Sequence, residues 1–107
     1  MSEILSSTNQ AVEKPSFKSQ YNNYIGGEWV APVLGQYFEN LSPVDGNSFT
    51  KVARSSAEDI ELALDAAWKA APAWNNSSPT FRSNLLLKIA DVIEANLETL
   101  ARAETWD

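Results

Sequence analysis

Two residue types are missing altogether from the 107 residues, cysteine and histidine. Without cysteine there is no disulfide framework, no thiolate nucleophile and no thiolate-bound metal. Without histidine the commonest general base and the commonest zinc ligand are both gone. Positive charge is scarce as well. Eight Lys and Arg against 14 Asp and Glu give a net charge of -6 at pH 7. A phosphate backbone would be repelled by such a chain, which argues against a nucleic-acid partner. No apolar run approaches the roughly 20 residues needed to cross a bilayer. The opening MSEILSSTNQAVEKPSFKSQ has neither the basic start nor the apolar centre of a secretory signal. A cytoplasmic protein with no membrane partner is therefore expected. The four glycines, at 26, 27, 35 and 46, form neither GxGxxG nor a P-loop, so a phosphate cradle is excluded.

What is present organises itself in order along the chain. Residues 1–20 are polar and read as a disordered, solvated tail, because their few apolar groups cannot offset the entropy of ordering. From Tyr21 the texture changes. In YNNYIGGEWV two adjacent glycines can both take positive φ, as a two-residue hairpin requires. Strands are predicted near Asn22–Ile25 and Glu28–Val30, followed by Gln36–Leu41. The stretch SPVDGNSF is a turn with a mechanism: Pro43 presets φ, Asp45 bonds its own backbone, and Gly46 is permissive. Ser48–Ser55 is predicted as the last strand, with Phe49, Val52 and Ala53 toward its buried side. Hairpin and strands thus occupy 22–54.

Two helices follow. The first is predicted over about 56–71, opened by a capping box from Ser55 to Glu58. Acidic Glu58, Asp59 and Glu61 suit the positive end of its dipole. Its apolar face, Ile60, Ala63, Leu64, Ala67, Ala70 and Ala71, is mostly alanine and predicts a close neighbour. Pro72 is expected to end it. Ser78 and Pro79 then start a second helix over about 79–104, with Glu98 and Arg102 placed as an i,i+4 pair. Its stripe is Phe81, Leu85, Leu86, Ile89, Val92, Ile93, Leu97 and Leu100. Eight such residues at roughly 1.5–3 kcal/mol each represent more than ~10 kcal/mol that depends on burial. Few short strands and a narrow alanine face offer too little surface to supply it. A larger sheet outside these residues is the expected partner.

No catalytic constellation emerges from the residue types. The serines have no adjacent base. The acidic group Glu58, Asp59, Glu61 and Asp65 reads as a solvated helix start, and Trp29, Trp68, Trp74 and Trp106 as core or edge packing. By its own residues the chain is an α+β fragment, short strands and a hairpin followed by two helices, without an active site.

Its wording says more. Ile25–Gly27 with Glu28 and Trp29 is followed by Ser42-Pro43 with Gly46. Glu58-Asp59 then opens the alanine-rich helix. Leu86, Ile89-Ala90-Asp91 and Ile93-Glu94 lead into Glu104-Thr105-Trp106-Asp107. In this order and spacing the chain resembles the N-terminal end of the aldehyde dehydrogenase superfamily. The likeness covers about Tyr21 to Asp107, the start of a long α/β, Rossmann-like fold. It implies an NAD(P)-binding domain that opens at residue 21, an aldehyde substrate, and NAD or NADP held by later parts of the polypeptide. It also implies a homo-oligomer. The catalytic Cys and Glu of the family fall after residue 107, so catalytic and cofactor-binding residues within this chain number none. The residues 1–107 alone are expected to be inactive. In wording the nearest subgroup is bacterial enzymes of short aliphatic aldehydes such as acetaldehyde. Two departures stand out: Ser42 replaces the commoner Asn before Pro43, and Pro72 sits where the family continues its helix.

The helix end raises its own question. Glu104 and Asp107 crowd a terminus whose dipole favours cations. Family members usually continue with Asn-Gly-Lys, which implies that the helix is finished by residues beyond Asp107. Several also hold a structural Na⁺ or K⁺ at this place. The resemblance carries that site to Asn40, Leu41 and Asp107, through side-chain or main-chain oxygens. The alternative reading of the whole chain is a free-standing helical interaction module that binds a protein partner through its Leu/Ile stripe.

Overall fold

The computed structural model describes residues 13–107, and its first strand begins at the last residue of the segment predicted to be a tail. Residues 1–12 fall outside the described part. Residues 13–20 are tied to the sheet at specific points: Phe17 meets Phe49 edge-on at 4.7 Å. Thr50 donates its hydroxyl to the Lys18 carbonyl at 2.7 Å, and the Lys51 amide donates to Ser19 at 3.0 Å. Strand β1 (Gln20–Tyr21) then runs parallel to a later strand. One aromatic side chain and a set of backbone bonds order a segment whose composition alone does not.

Next come β2 (Asn23–Ile25) and β3 (Glu28–Val30), an antiparallel pair. Gly26 and Gly27 connect them at φ 63° and 84°, the left-handed backbone that the hairpin turn needs. Strands β4 (Tyr37–Leu41) and β5 (Ser48–Ala53) pair antiparallel, with an irregularity at Asn40/Leu41. The turn between them behaves as its residues dictate: Asp45 accepts from the Asn47 amide at 2.9 Å, and Gly46 donates to Ser42 at 2.8 Å. The three-stranded sheet has the order β1-β5-β4. Of the predicted inward set on β5, Ala53 is buried while Phe49 and Val52 are half-buried.

Three helices follow where two are predicted. Helix α1 (Ala57–Asn75) starts one residue later than the expected box. The capping pair is Ser56 and Asp59, not Ser55 and Glu58: the Asp59 carboxylate accepts from the Ser56 amide at 2.8 Å and from its hydroxyl at 3.2 Å. Asp59 is buried there, while Glu58 is exposed. The helix also passes through Pro72. A proline costs only its own amide bond and a local clash, and the following turn closes regardless, with the Asn76 amide donating to Pro72 at 3.0 Å. Ser77 then terminates it, its hydroxyl donating to the Trp74 carbonyl at 2.6 Å.

The predicted helix over 79–104 is divided. Ser78 caps α2 (Pro79–Ala95) by accepting from the Phe81 amide at 3.0 Å. At Asn96 the backbone leaves helical geometry (φ -116°, ψ 19°), and α3 (Leu97–Trp106) begins. The cause is local. The Asn96 side-chain amide donates to the Val92 carbonyl at 2.8 Å and so competes there with the backbone amide of Asn96, whose own bond to Val92 is stretched to 3.2 Å and shared with Ile93 at 3.1 Å.

Packing is thin throughout. Among the described residues only Ala53 and Pro32 are buried apolar side chains. The other buried side chains there are polar: Ser42, Thr50 and Asp59. All eight residues of the α2–α3 stripe are exposed, and so are Trp29, Trp68 and Trp74, which the sequence reading places in or at the edge of a core. The molecule is a slab of 58 × 40 × 15 Å with a radius of gyration of 18.5 Å. A closed domain of this length would have a radius near 13 Å. A slab 15 Å thick holds little more than one layer of elements, and domains bury their apolar faces between two or three.

Candidate functional site

A long-range juxtaposition of polar groups joins the end of β4 to the end of α3. Asn40 stands near the end of β4, where the irregularity opens toward the turn. Asp107 follows α3, its amide donating back to the Ala103 carbonyl at 3.0 Å. The two meet: Asn40 Nδ2 donates to Asp107 Oδ1 at 2.6 Å, across 67 residues of sequence. A neutral amide donating to a carboxylate is a charge-assisted bond. It partly answers the acid at a helix end. Leu41 lies beside Asn40 with an exposed side chain; that side chain carries no donor atom, so only its main-chain carbonyl could serve as a ligand.

An open cleft of about 470 Å³ adjoins this pair, lined by Phe17, Tyr21, Phe49 and Thr50 among others. Further charge gathers along α3 and the segment ahead of β1. Arg102 reaches Glu98 at 3.9 Å, the predicted i,i+4 pair, and Glu13 at 3.8 Å. Lys14 places its ammonium 5.6 Å from the Trp106 ring centre.

Among the described residues no group of three His, Cys, Asp or Glu side chains converges as a metal site. The acidic first turns of α1 do not form one. Asp59 is engaged as a cap and as an acceptor from the Val33 amide at 3.0 Å. Its carboxyl is held below the ordinary value of 3.8 by the Ser56 amide first and the Val33 amide second, with burial opposing them and the Ser56 hydroxyl assisting. That is the signature of a structural carboxylate satisfied by donors.

Several polar ties escape sequence reasoning. Tyr37 donates its hydroxyl to Asn22 at 2.6 Å, and Asn23 and Ser55 bond side chain to side chain at 2.9 Å. Both link residues far apart in sequence, and no local spacing announces them. Phe17 is different. A lone aromatic in a polar stretch was a usable signal for packing. None of these ties sets a nucleophile beside a general base.

Comparison with known proteins supplies the class. Residues 29–107 match the sequence profile of the aldehyde dehydrogenase family, and the chain belongs to that family. A long-chain-aldehyde dehydrogenase of an Acinetobacter species is 73% identical over 99 residues, covering 92% of this chain and 20% of the relative. An acetaldehyde dehydrogenase of Pseudomonas aeruginosa is 62% identical over 92 residues, covering 86% and 18%. The crystal structure of PnpE in complex with nicotinamide adenine dinucleotide superposes with a TM-score of 0.77 at 39% identity, over 84% of this chain and 18% of that one. The chain thus spans about a fifth of the length of the curated relatives it matches.

Proposed function

We propose that this chain is the N-terminal portion of an NAD(P)-dependent aldehyde dehydrogenase, a cytoplasmic homo-oligomer that oxidises an aldehyde to the carboxylate. The observation that carries this reading is the family match across 29–107 joined to an α2–α3 stripe left wholly exposed. A helix apolar over so wide an arc belongs in the interior of a larger body. The remainder of the same polypeptide is its natural cover. With no Cys the segment lacks the thiolate nucleophile of this family, and the nucleophile and the nucleotide contacts are assigned in this reading to residues beyond 1–107. What this segment contributes is scaffold, a hairpin, a small sheet and long helices on which the nucleotide-binding domain is laid.

Acetaldehyde and other short aliphatic aldehydes are the proposed substrates. Relatives of similar identity carry names that differ in aldehyde chain length, so chain-length selection is assigned to residues beyond this segment.

A structural Na⁺ or K⁺ at Asn40, Leu41 and Asp107 belongs to the same proposal. The donor set fits a hard cation, since all three offer oxygen. One oxygen of Asp107 already accepts from the Asn40 amide. The other carboxylate oxygen and the main-chain carbonyls of Asn40 and Leu41 are therefore the proposed ligands, and the ion a stabiliser without a role in the reaction.

The reading frame past codon 107 tests the proposal cheaply. Continuation with Asn-Gly-Lys and a later Cys supports it. A stop codon there would favour a helical module that binds a separate protein.

A further inference from the structure

Helix α3 has few ties to the sheet it faces, and the segment ahead of β1 supplies several of them. We propose that residues 13–18 form a strap that holds the last turn of α3 against the three-stranded sheet and so sets Asp107 beside Asn40.

The strap is attached at both ends. On the helix side, Glu13 pairs with Arg102 at 3.8 Å, and Lys14 lies over Trp106 at 5.6 Å. On the sheet side, Phe17 packs on Phe49 at 4.7 Å, and the Lys18 carbonyl accepts from the Thr50 hydroxyl at 2.7 Å. Between the two lies Pro15, whose fixed φ limits slack. Arg102 is the hinge point, since the same guanidinium also reaches Glu98 on its own helix at 3.9 Å. Lys14 has a second effect. Its positive charge sits against the residue before Asp107, where the helix dipole and two acids leave net negative potential. The strap therefore positions Asp107 by both contact and charge, and it does so whether or not an ion binds there.

Arg102 and Lys14 are positioning residues in this account. The test is hydrogen exchange in the intact polypeptide, comparing it with its double variant Glu13→Gln/Lys14→Ala. Loss of one exposed ion pair and one cation–π contact corresponds to about tenfold faster exchange at the amides of Ala103–Asp107. The amides of Tyr37–Leu41 and Ser48–Ala53 should be unaffected. Lys14→Arg, which keeps the cation over the ring, should retain the protection. Unchanged exchange at 103–107 in the double variant would overturn the strap. So would an equal loss across β4 and β5, because the segment would then be part of the sheet's own stability. Absence of any protection at 103–107 in the unaltered chain would overturn it as well.

Discussion

The carboxylate of Asp59, in the first turn of α1, accepts the amide hydrogen of Val33 at 3.0 Å. One oxygen thus pins the loop between β3 and β4, while the other caps the helix through Ser56. Two pieces of the fold share one buried charge.

Removing that charge should free both pieces. Asp59→Ala is expected to raise exchange at the Val33 and Ser56 amides together, and to lower the melting temperature of the intact protein by several degrees. Exchange that rises at only one of the two amides would show that the tie is not shared.

The same group predicts a pH dependence. Its donors favour the ionised form and hold the carboxyl below 3.8. The stabilisation is therefore fully present above the unfolded value and is lost as pH falls through the folded one. Protection of the Val33 amide should be flat from neutral pH down to about 4 and should decline only below it. A decline centred near pH 6 would contradict the assignment.

Asn96 offers a second local test. Its side chain bonds the Val92 carbonyl at the break between α2 and α3. Asn96→Ala removes that bond and adds up to about 0.7 kcal/mol of helix propensity. The two helices should then join, visible as helical carbon chemical shifts running unbroken through residues 95–97. A persisting break would place its cause in packing.

Much of this architecture was legible in the sequence because its determinants are local. The Gly26-Gly27 turn, the Asp45 turn and the Ser78-Pro79 start each depend on residues within a few positions of one another. The misplaced boundaries share one physical origin: two local signals compete and geometry chooses. Ser55 with Glu58 and Ser56 with Asp59 are both capping boxes by spacing, and the Val33 amide, 26 residues away in sequence, favours the second. At Pro72 the proline signal is outweighed by the turn that closes after it. The Asn40–Asp107 contact spans 67 residues. Composition and spacing do not announce it, and only the resemblance to a family brought the two together.

The cation proposal is tested on the intact protein by titrating K⁺ and Na⁺ against thermal stability, beside its Asp107→Ala variant. The unaltered protein should gain stability from one of the two ions at matched ionic strength, and the variant should not. Identical responses would remove Asp107 from any ion site.

The central claim is that this segment is scaffold for an aldehyde-oxidising enzyme and carries no chemistry of its own. Formation of reduced nicotinamide from acetaldehyde with NAD⁺ or NADP⁺, followed by the absorbance of the reduced ring, compares the intact polypeptide with residues 1–107. The account predicts turnover by the intact polypeptide and none by the segment. Turnover by purified 1–107, or an intact polypeptide that oxidises no aldehyde with either nucleotide, would contradict it.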